Sequence, residues 1–401
     1  MILHNLTNNA LGSDAARWAI FALALGGFGI GTGEFIIMGL LPGVAESLNI
    51  SEPQAGNTIA SYALGVVVGA PVIAVLAARM ARKKLLLCLM AMFFIGNTVS
   101  AFSGSYYQLI GARFLTGLPH GAFFGVASLV AASLVTPEKR GRALSALMLG
   151  LTIATLVGVP LGSWIGQVFN WHVVFGFVGA IGLLTCVLIM RFVPMTPNDS
   201  DAHPLRELKA LKNSQVLLTL LVGAIGFGGM FAVFSYIAPT LINVAGMPAR
   251  LIPWAMAAFG LGMISGNLVG GRLAEKTVLK VIGWTLLWNI LIMAAFPLLA
   301  THVATGMIAT FLIGTSSILL PSLQIRLMDV ANDSQTLAAA MNHSALNIAN
   351  AMGAWLGGLA VFSGFGWIST AYVGVMLGIT GLVVYTFTVW HALRPQACNE
   401  F

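Results

Sequence analysis

Residues 111–125 read G-A-R-F-L-T-G-L-P-H-G-A-F-F-G, and they place a charged side chain inside an otherwise apolar helix. An arginine at the centre of a membrane-spanning helix costs about 2.5–3.5 kcal/mol on insertion scales, so Arg113 requires a polar interior and a partner. His120 follows seven residues later, two turns along the same helix face. The stretch predicts a helical membrane protein with a functional polar interior.

The composition around this stretch supports that prediction, because 58% of the 401 residues are hydrophobic and only 8% are charged. Windows of about 20 apolar residues are long enough to cross a bilayer core of about 30 Å, and only helices satisfy their own backbone there. We therefore predict an all-α membrane protein with twelve transmembrane helices. The predicted spans are 17–41, 55–78, 85–103, 106–135, 141–168, 171–194, 214–245, 250–274, 278–300, 303–329, 336–363 and 366–391.

The positive charges are distributed unevenly among the connections between these spans. Nearly all of the 19 Lys and Arg residues lie in the two tails or in every second connection, and the alternate connections are almost bare. Basic connections remain on the cytoplasmic side of a membrane. The distribution predicts that both termini are cytoplasmic, and it explains the net charge of +7 without a nucleic-acid partner.

Motifs of enzymes, pumps and metal sites do not occur in the sequence. It contains no GxxxxGK[ST] phosphate loop, no HExxH, no GxSxG and no metal-spaced cluster of His and Cys. The three cysteines are odd in number and suggest no disulfide framework. We expect a protein that is not an enzyme and that needs no cofactor or metal.

The sequence repeats itself with a constant shift of 197 residues. A parallel duplication of six spans predicts two halves related by a pseudo-two-fold axis, with a substrate site at their interface. The predicted divisions are a tail 1–16, a first half 17–194, a linker 195–213, a second half 214–391 and a tail 392–401. The matched pairs are Gly26 and Gly223, Gly29 and Gly226, Gly31 and Gly228, Pro42 and Pro239, Gly65 and Gly262, Gly69 and Gly266, and Gly117 and Gly314.

Glu34 is the acidic counterpart of Arg113 within the predicted spans. It lies eight residues before Pro42, about 12 Å from the end of its span, and Arg113 lies seven residues into a span that starts at the same side. Opposite charges at one depth indicate a pair or a shared cavity. Two interpretations remain open: the charges are functional, or they form a buried salt bridge that only fixes helix packing.

Proton coupling is the functional hypothesis for this group. Glu34 is the predicted proton acceptor, Arg113 its charge partner and His120 a relay, because histidine titrates in the physiological range. A substrate and a proton that compete for one site would give antiport. The alternative for His120 is a neutral histidine that hydrogen-bonds across helices.

The second half lacks this ionisable chemistry, because Glu34 corresponds to Phe231 and Arg113 to Thr310. We expect the first half to couple protons and the second half to shape substrate contacts. Residues 158–162, G-V-P-L-G, indicate either a hinge in span five or ordinary glycine packing. The candidate residues for the substrate cavity are Met38, Asn57, Tyr62, Tyr236, His343 and Asn347.

Several of these motifs resemble those of the major facilitator superfamily along the whole chain. The turn R-M-A-R-K-K at 79–84 is similar to the signature loop of that superfamily, and Arg113 with Gly117 matches its span-four arginine motif. The resemblance implies gating roles for the two copies of the loop and for the span-five motif. The residues concerned are Arg79, Arg82, Lys83, Gly271, Glu275, Lys276, Gly158, Pro160 and Gly162.

Three strings narrow the resemblance: G-E-F-I-I-M-G-L-L-P, Y-A-L-G-V-V-V-G-A-P and H-G-A-F-F-G. They resemble the bacterial drug:proton antiporter branch, with AraJ-like and sugar-efflux proteins the most similar. The resemblance implies proton-driven efflux across the bacterial inner membrane, with a sugar, a nucleoside or a drug such as chloramphenicol as the substrate. We also expect a monomer. The alternatives are a proton-independent facilitator, a symporter that imports a sugar or nucleoside, and a membrane receptor or scaffold that transports nothing.

Overall fold

The computed structural model describes residues 13–77, 79–136, 139–195, 213–331 and 335–393. Within these ranges, twelve helices are long and apolar enough to cross a membrane, which confirms the predicted all-α class. The helices are α1 Ser13–Leu48, α2 Glu52–Leu76, α3 Arg82–Ala101, α4 Tyr106–Ser133, α5 Arg140–Val168, α6 Trp171–Phe192, α7 (214–243), α8 Ala249–Ala274, α9 Thr277–Leu299, α10 Val303–Val330, α11 Gln335–Ala360 and α12 Ser369–Leu393.

Side chains that cap the free backbone amides determine where several helices begin. Ser51 and Gln54 form a reciprocal capping box at the start of α2, and the backbone nitrogen of Gln54 lies 3.3 Å from the Ser51 hydroxyl. Asn170 accepts a hydrogen bond from the amide of Val173 in α6 at 3.0 Å. Such caps satisfy amides that the helix itself leaves free, so α2 and α6 start at defined positions.

Helix α1 is longer than its predicted span of 17–41. It begins at Ser13, within the predicted tail, and it continues through Pro42 to Leu48. Asn49 then takes a positive φ of 51°, a conformation that commonly ends a helix. The prediction was too short because apolar windows detect only the part of a helix that lies in lipid, whereas water and other protein groups support the rest.

Several interruptions break the regular helices, among them a 3-10 turn at Thr315–Ile318 in α10. A π-turn over Ala154–Gly158 precedes Pro160 in α5, and such turns relieve the loss of one backbone hydrogen bond. Helix α7 was predicted as one span, but it consists of three segments, Ser214–Gly226, Gly228–Phe234 and Ile237–Asn243. Helices α8 and α9 meet at Thr277, whose φ of −156° and ψ of 69° are not helical.

Equivalent helices in the two halves pack through equivalent residues. Gly65 on α2 lies directly against the backbone carbonyl of Phe114 on α4, and Gly262 on α8 lies against that of Phe311 on α10. Each residue of the second pair comes 197 positions after its counterpart, and a side chain at either glycine would collide with the carbonyl. These contacts confirm the predicted repeat. The same register relates Gly69 and Leu118 to Gly266 and Thr315.

Helices α1–α6 lie within the predicted first half and α7–α12 within the predicted second half, except that α1 begins at Ser13 and α12 ends at Leu393. The predicted linker 195–213 lies outside the described residues except for its two ends. Of the predicted tails, residues 1–12 and 394–401 also lie outside them.

The two halves contact each other at the face opposite to the first residues of α1 and the last residues of α12. We call the side where α1 begins and α12 ends the basic face, and the other side the opposite face. Near the opposite face, the Gln167 amide on α5 donates a 2.7 Å hydrogen bond to the carbonyl of Ala249. Gly56, near the start of α2, lies against the hydroxyl of Tyr236 on the second half. The halves are therefore closed together at the opposite face.

Candidate functional site: a buried carboxyl at the interface of the halves

Glu34 and Arg113 are the buried charged side chains of the described residues, with exposed fractions of 6% and 0%. The Arg113 Nη1 atom donates a 2.8 Å hydrogen bond to the backbone carbonyl of Gly33, the residue before Glu34. Both charges therefore lie at the same level of the bundle, as the sequence predicted. Direct pairing is not observed, however, because no nitrogen of Arg113 lies within 4.0 Å of the Glu34 carboxylate.

Tyr62 on α2 connects Arg113 with His120. The guanidinium carbon of Arg113 lies 4.4 Å from the centre of the Tyr62 ring, within the range of a cation–π interaction. The Tyr62 hydroxyl and His120 Nδ1 share a hydrogen bond of 3.0 Å. Phe175 on α6 covers the guanidinium at 5.4 Å from its ring centre. Tyr62 thus contacts both Arg113 and His120, the two residues of α4 that were predicted to take part in proton coupling.

His120 also lies beside the carboxylate. Its Nδ1 atom is 4.0 Å from Glu34 Oε2, and only 2% of the residue is exposed. The prediction that Arg113 and His120 share one helix face is consistent with their common contact with Tyr62. The imidazole is close enough to exchange a proton with the carboxylate after a small movement or through one water molecule.

The second half reaches the site through α11. Asn350 Nδ2 donates a hydrogen bond of 3.4 Å to Glu34 Oε1, and 1% of Asn350 is exposed. His343 lies seven residues earlier on the same face of α11. Its ring stacks on that of Phe124 of α4, with the ring centres 5.7 Å apart and the ring planes 5° apart. The centre of the His343 ring is 6.4 Å from that of His120. The site therefore lies between the halves.

Four buried polar atoms at the site have no hydrogen-bond partner among the described residues. They are Nε and Nη2 of Arg113 and the amide oxygens of Asn347 and Asn350. An unsatisfied buried polar atom costs about 1–3 kcal/mol, and more when it is charged. The guanidinium can donate to a ligand oxygen, and the amide oxygens can accept from a ligand hydroxyl or amine. The arrangement can bind a small molecule that carries both kinds of group.

Three of the six predicted cavity residues lie at this site. Tyr62 contacts Arg113 and His120 of α4, and His343 stacks on Phe124 of the same helix. The side-chain amide of Asn347 donates to the carbonyl of His343 at 3.0 Å, so its oxygen is the atom left for a ligand.

The other three candidates have different roles in the structure. Met38 is fully buried in the apolar core, and Asn57 donates a 3.0 Å hydrogen bond to the hydroxyl of Tyr106 near the opposite face. The Tyr236 hydroxyl donates to the carbonyl of Ala354 at 2.8 Å. Tyr236 therefore takes part in closing the opposite face, and its polar atom is already satisfied.

The residues of the predicted gating turns make few contacts between the halves. The Lys83 ammonium donates to the carbonyl of Met190 at 2.8 Å, a contact within the first half. Arg79 is exposed and Arg82 is half-buried at the start of α3, and the space beside Gly271 is open. The side chains of Glu275 and Lys276 lie outside the described residues. Their gating roles stay predictions.

The glycines of α5 pack directly on α1. Gly158 lies against Thr32, and Gly162 lies against Ile36. Pro160, between them, is the second residue of the segment Val159–Val168 that follows the π-turn. Glycine packing therefore explains both glycines, and the proline coincides with a change of helix geometry that a hinge would use.

Asn350, Phe124 and Phe175 belong to the site although none was a predicted site residue. The signal for Asn350 was present, because His343, Asn347 and Asn350 occupy positions i, i+4 and i+7 of an apolar helix. The phenylalanines gave no such signal, since 23 phenylalanines occur in the chain and most cover apolar surfaces.

Comparisons with known proteins agree with this architecture. The inner membrane transport protein YdhP of Escherichia coli K12 is 36% identical over 371 residues, 92% of this chain and 95% of that protein. The putative transporter AraJ of the same organism is 33% identical, and the match covers 90% of this chain and 93% of that protein. A chloramphenicol resistance protein of Streptomyces lividans is 32% identical, and the match covers 92% of this chain and 95% of that protein.

Solved structures give the same fold. A bacterial homologue of the human lysosomal transporter Spinster, in an inward-facing and occupied conformation, has a TM-score of 0.73 at 16% identity, with 95% of this chain and 98% of that chain covered. The family model of the Major Facilitator Superfamily matches residues 23–282. These matches, with the twelve helices in two repeated halves, show that the chain belongs to the Major Facilitator Superfamily.

Proposed function

We propose that this transporter exports a small organic molecule across the bacterial inner membrane in exchange for protons. The observation that carries the proposal is the buried carboxyl of Glu34, which is in contact with Asn350 of the other half. Relatives named for inner membrane transport and for chloramphenicol resistance support the location and the class of substrate. A proton-driven transporter needs an acidic side chain that can bind and release a proton where its two halves meet.

The proton step uses the carboxylate and its neighbours. As a carboxylate, Glu34 accepts the amide N–H of Asn350 and faces the positive charge of Arg113, held next to Gly33. When Glu34 binds a proton, this negative charge disappears, and both interactions weaken because donors bind charged acceptors more strongly than neutral ones. In the proposed cycle His120, whose Nδ1 atom is 4.0 Å from the Glu34 carboxylate, delivers the proton.

The substrate step uses the polar atoms that remain free. An electronegative group of the substrate binds the free N–H groups of Arg113, and its hydroxyl or amine groups bind Asn347 and Asn350. A substrate hydroxyl or amine that binds the amide oxygen of Asn350 lies beside the Glu34 carboxylate, and it donates most strongly to that carboxylate while Glu34 is ionised. A bound substrate and a proton on Glu34 therefore disfavour each other, which is the requirement for exchange.

The conformation supports loading from the cytoplasm. The halves are joined at the opposite face, where Gln167 bonds to Ala249 and Tyr236 lies against Gly56. The charge distribution predicts that the basic face is cytoplasmic, with both termini on that side. In the proposed cycle this state receives substrate from the cytoplasm, and a rocking movement of the halves then opens the opposite face.

Transport in liposomes tests the proposal. Purified protein is reconstituted with an internal pH-sensitive dye, and chloramphenicol, a sugar panel and a nucleoside panel are supplied with and without an imposed pH gradient. We expect substrate movement opposite to proton movement in the wild type and its loss in Glu34→Gln. The matched control is Glu46→Gln, because Glu46 is an exposed acid of the same helix.

Each competing function predicts a different result in this assay. A facilitator moves substrate at a rate that ignores the pH gradient, and a symporter moves substrate and protons in the same direction. A receptor or scaffold binds a ligand without flux. Any of these results with an active, oriented preparation would contradict proton-driven export.

A further inference from the structure

A groove of about 850 Å³ lies between the first parts of α1 and α5 at the basic face. Its walls are mostly apolar and include Phe21 on α1 together with Leu149 and Ile153 on α5. These three side chains are exposed, so the groove is open along its length. Its floor is closed, because Gly150 lies against the carbonyl of Ala24.

Basic side chains surround the end of the groove that lies at the basic face. Arg17, Lys139 and Arg142 all line it and are all exposed. Arg17 forms an ion pair of 3.3 Å with Asp14. Within the described ranges, neither Lys139 nor Arg142 has an acidic side chain within 4.0 Å. The groove thus combines a long apolar wall with a positively charged end.

The groove continues the face by which α1 contacts the second half. Phe35 on α1 lies parallel to Phe231 of the second half, with ring centres 6.5 Å apart. Phe28 and Phe21, seven and fourteen residues earlier, lie on the same helix face and line the groove. On α5, the carbonyl of Thr155 contacts Gly260 of α8, two residues beyond the last groove residue, Ile153. An occupant of the groove would lie where the halves must approach to close the basic face.

We propose that an anionic phospholipid of the surrounding bilayer occupies this groove. Its headgroup phosphate contacts Lys139 and Arg142, and one acyl chain lies between Phe21 and Leu149. The chemistry matches an amphiphile, because basic residues near the membrane surface attract anionic headgroups and the apolar wall extends from them into the depth of the membrane. The lipid stabilises the conformation that is closed at the opposite face, since it fills space that closure of the basic face would require.

Native mass spectrometry of the purified full-length protein tests this site. The probes are dioleoyl phosphatidylglycerol and dioleoyl phosphatidylcholine, titrated separately. We expect the wild type to retain phosphatidylglycerol preferentially, and Lys139→Gln with Arg142→Gln to weaken that retention about ten-fold. Lys84→Gln with Arg191→Gln removes two exposed charges from the same face at α3 and α6, and it should bind as the wild type does.

A second variant tests the apolar part of the site. Ala146 lines the groove, and Ala146→Phe fills it without changing a charge. We expect this variant to lose the lipid while its elution and its thermal unfolding in phosphatidylcholine stay normal. Equal retention of both lipids, or equal losses in the groove and control charge variants, would overturn the proposal. Glu34→Gln should retain the lipid, so failure of proton coupling leaves this result unaffected.

Discussion

Asn350 on α11 donates a hydrogen bond of 3.4 Å to the carboxylate of Glu34 on α1, although the two residues are 316 positions apart. The bond joins the two halves at the buried acid of the first half. Because the halves move relative to each other during transport, a bond of this kind exists in only part of the cycle. Its strength depends on the charge of Glu34, so it can link proton binding to the movement.

Replacement of Asn350 by alanine should therefore uncouple transport from the pH gradient. A hydrogen bond to a charged group contributes about 1.5–3 kcal/mol, and from the lower end we expect the closed opposite face to become about ten-fold less populated. The measurement is proton-driven transport, compared with substrate binding, which should persist. The control is Asn97→Ala, because among the described residues the side-chain amide of Asn97 donates only to the Phe93 carbonyl of its own helix and not across the halves. Equal losses in both variants would contradict a specific role for Asn350.

Arg113→Lys should lose most transport although it keeps the charge. The guanidinium donates to the Gly33 carbonyl, and its central carbon lies 4.4 Å from the centre of the Tyr62 ring; an ammonium cannot reproduce both interactions. We expect transport to fall at least about ten-fold and the thermal stability to decrease, because a buried charge loses its partners. Normal transport by the lysine variant would show that only the charge matters.

Tyr62 and His120 should act as one unit. Their hydrogen bond of 3.0 Å fixes the orientation of the imidazole beside Glu34. Tyr62→Phe and His120→Gln should each slow proton-coupled transport, and the double variant should be little slower than the slower single variant, since interacting residues are not additive. The measurement is initial transport rates for the four proteins. Strictly additive effects would indicate independent roles.

Gly56→Val should prevent closure of the opposite face. Any side chain at residue 56 would occupy the position of the Tyr236 hydroxyl. We expect the variant to remain open on that side, so that a cysteine at residue 57 (Asn57→Cys) reacts several-fold faster with a membrane-impermeant thiol reagent. Gly104→Val is the control, because nothing lies within 4 Å of its side-chain position. Unchanged labelling in the Gly56 variant would exclude this contact as part of the closure.

The depth of the charged residues could be predicted from the sequence because it depends only on counting residues along a helix. Glu34 and Arg113 were placed at one level, and the bond from Arg113 to Gly33 lies at that level. Counting residues does not determine how a helix is rotated about its axis, so it does not tell which neighbour a side chain faces. The guanidinium therefore contacts a backbone carbonyl and a tyrosine ring, where the sequence suggested the carboxylate.

Contacts between the halves were the least predictable part of the site. The spacing of Asn350 from His343 and Asn347 places it on their helix face, but its partner Glu34 is on a helix of the other half, and no local pattern encodes that approach. Tyr236 was a cavity candidate as a polar aromatic residue of the second half. Its hydroxyl instead donates to the Ala354 carbonyl, and a backbone acceptor cannot be distinguished from a ligand in the sequence.

In the proposed exchange, substrate binding and a proton on Glu34 exclude each other. This mutual exclusion is tested most directly by proton release from purified protein in weakly buffered detergent solution when a transported substrate, first chloramphenicol, is added. We expect the wild type and Glu46→Gln to release protons on binding, whereas Glu34→Gln should bind the same substrate and release none. Equal proton release by Glu34→Gln, or substrate binding by the wild type without any release, would contradict it.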